Sequence, residues 1–396
     1  MITQRQLFLA HVAQTSPSPL LLEAEHARGC MLYTNDGKQY LDLISGISVS
    51  NLGHGHPKVI AAVKDQVDKY MHLMVYGELV QTPQVKLSQL LTSLLPPALS
   101  SVYFTNSGSE AVEGAMKLAK RYTGRSEIIA FEKAYHGSTQ GSLSLMGDEF
   151  FKQSFRPLLP GIKHLPFNDL LYLEEITTKT ACVIIEPIQG EAGCRPFSQE
   201  FMDALSLRCK ETSTLLIFDE IQCGFGRTGN IFAFEGYNIT PDVLLVAKSF
   251  GGGMPLGAFI SSAQIMNSLT SEPVLGHITT FGGHPVCCAA GLAALNVLLE
   301  EQLHLHVEAK AGILREHLKH PLIKTIHGKG LLMALEFETA EICKKVIDTC
   351  LENGLFTDWF LFAPQCLRLA PPLVISEAEL RSACTLLLKS MDQVNE

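Results

Sequence analysis

The chain is predicted to fold as an α/β protein whose largest unit is a mostly parallel, doubly wound sheet, with a smaller α+β domain beside it. Three observations carry that expectation. Short continuous apolar runs, among them Ile128–Phe131, Ala181–Ile185, Leu215–Phe218 and Val243–Ala247, read as strands buried on both faces. Segments of helical period, such as Gln199–Lys210, alternate with them. At 396 residues the chain exceeds one ordinary core, so two domains are expected.

From the start of the chain, residues 1 to about 20 are expected to form a short amphipathic helix. It ends at Ser16-Pro17-Ser18-Pro19, because the residue before proline avoids the helical region. Asp36-Gly37 lies between alternating residues of the stretch Leu32 to Leu43, which signals a hairpin. A helix over about Pro57 to Leu73 places Val59, Val63, Val67 and Tyr70 on one face, and another over about Gln84 to Leu95 stops at Pro96-Pro97. Val102-Tyr103-Phe104 is a strand. Asn106-Ser107-Gly108-Ser109-Glu110 turns from it into a helix over Ala111 to Tyr122, with Ser107 and Glu110 spaced as a capping box. Leu256–Ile260 is a further strand, followed by an apolar helix over Cys287 to Leu299. Helical patterns over about Leu303 to Leu318 and Ala340 to Asn353 flank strands around Leu331 to Phe337 and Cys366 to Leu369.

Composition narrows the function. Hydrophobic residues make up 46% and charged residues 18%, which suits a globular enzyme with a large buried fraction. A formal charge of −9 argues against a nucleic-acid partner and offers no basic patch to a membrane surface. No apolar run approaches a membrane span, and the first residues lack a signal-peptide layout. Eleven dispersed cysteines without a C-x-x-C pair make neither a disulfide framework nor a zinc site, so a cytoplasmic protein with reduced thiols is expected. His54 and His56 are too few for a metal, and no metal site is expected.

The chemistry centres on Leu215 to Gly257. One apolar run delivers Asp219 and Glu220; the next delivers Lys248, Ser249 and the triple glycine Gly251–Gly253. Open α/β sheets place their sites at the carboxyl ends of strands. An acid and an amine so placed suit pyridoxal phosphate (PLP), the lysine forming the Schiff base and the aspartate keeping the ring nitrogen protonated. Ser107-Gly108-Ser109 at a helix start suits a phosphate as well as it suits a plain cap. Gly224-Phe225-Gly226-Arg227-Thr228-Gly229 has the form G-x-G-x-x-G of a nicotinamide-dependent Rossmann enzyme. However, Asp219–Cys223 separates it from the strand, and Asn230–Phe234 carries no helical pattern.

DEIQCGFGRTG followed by PDVLLVAKSFGGGMPLGA resembles the signature of class III PLP-dependent aminotransferases, the branch holding acetylornithine, ornithine and 4-aminobutyrate aminotransferases. The resemblance runs from about Leu20 to Leu373. It includes N-S-G-S-E-A at Asn106, E-P-x-Q-G-E-x-G at Glu186, the Ser45–Pro57 segment, T-F-G-G-[H] ending at His284, and R-x-x-P-P-L at Arg368. It implies the fold type I architecture, with a large PLP-binding domain over 55–285 and a small domain built from 1–54 and 286–396. Lys248 and Asp219 are the catalytic residues it implies. Ser107, Gly108 and Ser109 form a phosphate cup, Tyr135 stacks on the cofactor ring, and Gln222 binds its phenolic oxygen. His136, Glu186 and Thr279 also contact the cofactor, and Thr280 reaches the partner's phosphate in a homodimer.

Glu191 and Arg368 resemble the pair that relatives use as a switch between an ω-amino donor and the carboxylate of a 2-oxo acid, here 2-oxoglutarate, in ping-pong transamination. His284 stands where the family's T-F-G-G-N-P more usually has asparagine, and at a second position the chain departs from the family in its substrate contacts. His136-Gly137-Ser138-Thr139 stands where the named aminotransferases carry H-G-R-[ST], whose arginine holds a substrate carboxylate. Diamine and other amine transaminases, aminomutases and racemases share the scaffold and its Asp–Lys–phosphate apparatus, and which reaction follows depends on the substrate pocket.

Overall fold

A seven-stranded sheet organises the protein. In chain order its strands are β1 (Ser101–Thr105), β2 (Glu127–Phe131), β3 (Ile162–Leu165), β4 (Thr180–Ile185), β5 (Leu215–Asp219), β6 (Val243–Val246) and β7 (Gly257–Ser261). Across the sheet the order is β3-β2-β4-β5-β6-β7-β1. The computed structural model describes residues 2–75 and 77–395, so Met1 and Glu396, the outer limits of the expected domain ranges, lie outside the described residues. Only β7 runs antiparallel to its neighbours; every other pairing is parallel, as the apolar runs predict.

The runs are apolar at every position because both faces of the sheet are covered. Ile128, Ala130, Ile184, Ile217 and Leu245 pack into one core, and Ile129, Val183, Ile185, Phe218 and Leu244 into another, alternating along each strand. Helix Gly108–Thr123 closes the first core with Val112, Ala115 and Met116, and helix Gln199–Thr212 closes the second with Phe201, Met202 and Leu205. Each fully buried aliphatic side chain contributes about 1.5–3 kcal/mol.

Two four-stranded sheets and the two-stranded pair of Ile188–Gln189 with Arg195–Pro196 lie outside this one. The expected hairpin forms from Met31–Thr34 and Gln39–Asp42, with Gly37 at φ 81° supplying the turn. Gln39–Asp42 then pairs in parallel with Leu355–Phe356, so opposite ends of the chain share a sheet. An antiparallel sheet of Thr325–Lys329, Leu332–Glu336, Ala363–Leu369 and Trp359–Phe360 carries Arg368 on its long strand.

Three expectations need correction. The first helix covers only Gln4–His11 and buries none of its residues, although Phe8 lines a cavity with Leu20, Leu22, Leu32 and Phe356. The pattern over Leu303 to Leu318 splits into a 3-10 turn, Leu303–His306, and an α-helix, Val307–His317. β3 and the long helix Glu377–Asn395 were not expected at all. Among the described residues no single helix is long and apolar enough to cross a membrane, and all eleven cysteines are buried free thiols.

Candidate active site

Strands β1, β2, β4, β5 and β6 point the same way, so their carboxyl ends meet at one edge of the sheet. The turns leaving them line a cleft of about 360 Å³. Ser107–Ser109 follows β1, Tyr135 and His136 follow β2, Glu186 follows β4, Asp219 and Gln222 close β5, and Lys248 follows β6. Val49, Asn106, Ile221, Met254 and Pro255 also line it; the sequence did not single them out, because none bears reactive chemistry.

At one end of the cleft lies the N-terminus of helix Gly108–Thr123. Ser107 Oγ accepts the Glu110 N–H at 3.2 Å, which is half of the expected capping box. The other half is displaced by one residue: Glu110 Oε2 accepts from Asn106 N and Nδ2, both at 2.8 Å, rather than from Ser107. Gly108 is required by close approach, since a Cβ there would lie 2.8 Å from Ile221 Cδ1.

At the other end, His136 Nδ1 and Asp219 Oδ2 are 2.7 Å apart, and Asp219 Oδ1 accepts from Ile221 N at 3.0 Å. Burial works against the His136 imidazolium, but the hydrogen bond and charge of Asp219, with Glu186 nearby, outweigh it, so the histidine pKa is raised. Glu186 accepts from Tyr135 N at 3.0 Å and Gly190 N at 3.1 Å, yet burial pushes its carboxyl up to about 7. His136 Nε2 and Gln222 Nε2 are buried and lack a hydrogen-bond partner. Such polar atoms are costly unless something completes them.

Lys248 stands at φ 50°, a left-handed conformation that costs a non-glycine residue energy and is concentrated at functional sites. Burial lowers the pKa of its amine, and Glu191 opposes that shift. Glu191 and Arg368 do not line the cleft itself; they form a buried bidentate pair behind it, Nη1–Oε1 and Nη2–Oε2 each at 3.0 Å. Arg368 has a partner that the sequence did not reveal, Asp358, which accepts from Nε at 2.8 Å. No motif marked it, because strand pairing alone brings it there.

The remaining expected residues lie elsewhere. Ser138 is exposed, and its Oγ is 3.3 Å from the Tyr135 hydroxyl. Thr279 Oγ1 accepts from Asn106 Nδ2 at 3.1 Å and Thr280 is exposed; neither lines the cleft of its own chain. Neither cation near Ser138 in sequence replaces the missing arginine: Arg156 pairs with Glu149 at 2.8 Å, and Lys152 Nζ donates to Met146 O at 2.7 Å. The Gly224–Gly229 motif is not a phosphate loop. Gly226 (φ 87°) packs on Leu373 and Leu298, while the buried Arg227 donates to Leu331 O, Pro371 O and Asn51 Oδ1, tying the segment to the C-terminal sheet.

Known proteins place this architecture. A profile of the family described as Aminotransferase class-III matches residues 12–391. The chain is 40% identical over 360 residues to the acetylornithine aminotransferase of Methanopyrus kandleri, covering 90% of each. It is 38% identical over 382 residues to that of Methanocaldococcus jannaschii, covering 93% of this chain and 92% of the relative. The fold superposes on the ornithine aminotransferase of Toxoplasma gondii with a TM-score of 0.91 at 29% identity, over 100% of this chain and 95% of that one, and PLP partly occupies the active site of that structure.

Proposed function

The chain belongs to the class III aminotransferases, and on that premise we propose that it moves an amino group from an ω-amino donor of the acetylornithine or ornithine type to 2-oxoglutarate by a ping-pong mechanism. It is a PLP enzyme. The observation that carries the substrate reading is the buried bidentate Glu191–Arg368 pair, whose charges act on Lys248. Its geometry is that of an arginine holding a carboxylate, so a 2-oxo acid fits wherever Glu191 withdraws.

The residues fit the cofactor. The helix N-terminus with Ser107 and Ser109 suits its phosphate, the unpaired Gln222 Nε2 suits its phenolic oxygen, and Tyr135 offers an aromatic face. When bound, PLP supplies the electron sink that lets a proton leave the carbon bearing the amine. Lys248 Nζ takes that proton. Its lowered pKa keeps a larger share of the amine neutral near neutral pH. Asp219, oriented by His136 and the Ile221 N–H, would set its carboxyl group against the ring nitrogen. Glu191 masks Arg368 while a donor without an α-carboxylate at that position reacts.

A half-reaction screen tests this proposal by following the visible absorbance of the bound cofactor with N-acetylornithine, ornithine, 4-aminobutyrate, diamines and glutamate in turn. Glutamate is expected to bleach the band, and failure of glutamate alone refutes the role given to Arg368. Exposed Ser138 favours a second reading, a diamine or other amine donor whose distal end needs no cation. Bleaching by diamines but not by N-acetylornithine decides for it. Ser138→Arg is then expected to improve kcat/KM for carboxylate-bearing donors by about 1.5–3 kcal/mol, the strength of a charged hydrogen bond.

The enzyme works as a cytoplasmic homodimer on this proposal. Support comes from the free buried thiols, and from the exposed Ile278, Thr280 and Phe281, which leave a segment of the expected phosphate site facing outward. Sedimentation and assay over a dilution series check the assembly. Activity is expected to fall as dimers dissociate, and full activity in a monomer overturns it.

A further inference from the structure

Arg368 is held on more sides than a switch partner needs. Its backbone lies in the strand Ala363–Leu369, with its N–H donating to Asp358 O at 2.8 Å and its carbonyl accepting from Thr357 Oγ1 at 2.6 Å. The guanidinium carbon sits 4.2 Å from the centre of the Phe360 ring, which supports one face. Nε donates to Asp358 Oδ1 at 2.8 Å, and Nη2 also donates to Trp359 O at 3.2 Å. One edge remains, the pair Nη1 and Nη2, and Glu191 takes it with both oxygens at 3.0 Å.

We propose that Asp358 is a positioning residue for the oxo-acid half-reaction: it fixes the Nε edge of Arg368 so that only Glu191 moves, and the guanidinium keeps its end-on edge turned toward an incoming carboxylate. A guanidinium on a long aliphatic stem has the freedom to follow its departing partner. Asp358 removes that freedom, and Phe360 keeps the fork in one plane. Because Asp358 faces Arg368 across the strand pair Trp359–Phe360 and Ala363–Leu369, register rather than side-chain flexibility sets its position. The carboxylate that replaces Glu191 meets the geometry Glu191 leaves.

This inference rests on the proposed role of Arg368, and the test separates the two. The dissociation constant of glutarate, a dicarboxylate without a reacting carbonyl, is measured by calorimetry on the holoenzyme. KM for 2-oxoglutarate and the rate of the ω-amine half-reaction are measured alongside it. Asp358→Ala is expected to weaken glutarate and raise KM for 2-oxoglutarate by about 10-fold or more, the scale of one charged hydrogen bond. The ω-amine half-reaction and the cofactor's visible band stay as in the parent. Asp358→Asn keeps an oxygen acceptor for Nε and is expected to restore most of the affinity. If Arg368→Ala abolishes glutarate binding while Asp358→Ala leaves it intact, the positioning role is overturned. Equal losses in both half-reactions, or no rescue by Asp358→Asn in a folded protein, overturn it too. If Arg368→Ala itself leaves glutarate binding unchanged, the role of Arg368 in the proposed function fails instead.

Discussion

Lys248→Ala is expected to lower kcat by about 10,000-fold or more, since on the proposed mechanism it removes both the covalent tether and the group that carries the proton. Among the described residues that line the cleft no other lysine or arginine stands beside Lys248, and nearby Arg368 is committed to Glu191 and Asp358, so no neighbour is expected to take over. The variant keeps Ser107–Ser109 and Asp219, the residues proposed to hold the phosphate and the ring, and is expected still to bind PLP, now noncovalently. Reduction with borohydride followed by mass spectrometry reads the tether directly: the parent gains a covalent adduct on Lys248 and the variant does not. Turnover near the parental rate by Lys248→Ala removes Lys248 from the chemistry.

Asp219→Asn carries the second largest effect. An amide cannot hold a positive charge at the ring nitrogen, and kcat is expected to fall by about 100- to 1,000-fold, the scale seen when one preorganised electrostatic partner is lost. The variant also takes from His136 the charge that raises its pKa, while the hydrogen-bond geometry at 2.7 Å can survive in the amide. Cofactor content and the thermal melting point are therefore expected to change little compared with kcat. A loss of activity that merely follows loss of folded protein, or a kcat within about 10-fold of the parent, removes Asp219 from the role assigned here.

Much of this was legible in the sequence because buried parallel strands write themselves as unbroken apolar runs. β2, β4, β5 and β6 could be drawn from Ile128, Ala181, Leu215 and Val243 onward, and the residues just past each run could be named as a cluster. The cleft contains Ser107, Gly108, Ser109, Tyr135, His136, Glu186, Asp219, Gln222 and Lys248, all of which follow such strands within a few residues. Local sequence decides both where a strand ends and which side chain stands there, and a parallel sheet brings those ends together by topology.

Contacts made across long separations were not legible. Asp358 reaches Arg368 through strand register, and Arg227 reaches Asn51 and Pro371 through the packing of distant segments. Spacing was enough to set the G-x-G-x-x-G match aside as a phosphate loop, but not to show what its glycines answer to, the close approach of Leu298, His304 and Leu373 at Gly226 and of Glu308 at Gly229. The capping box at Ser107 slipped by one residue for a similar reason, as Asn106 competes for Glu110 and is itself tied to Thr279. The sequence by itself determined the central strands of the sheet, its site edge and the lysine and aspartate that stand there, since each follows from short-range apolar patterning. Only the tertiary structure decided that Asp358 joins Glu191 around Arg368 and that Arg227 ties Asn51 to Pro371, because both depend on residues brought together from far apart in the chain.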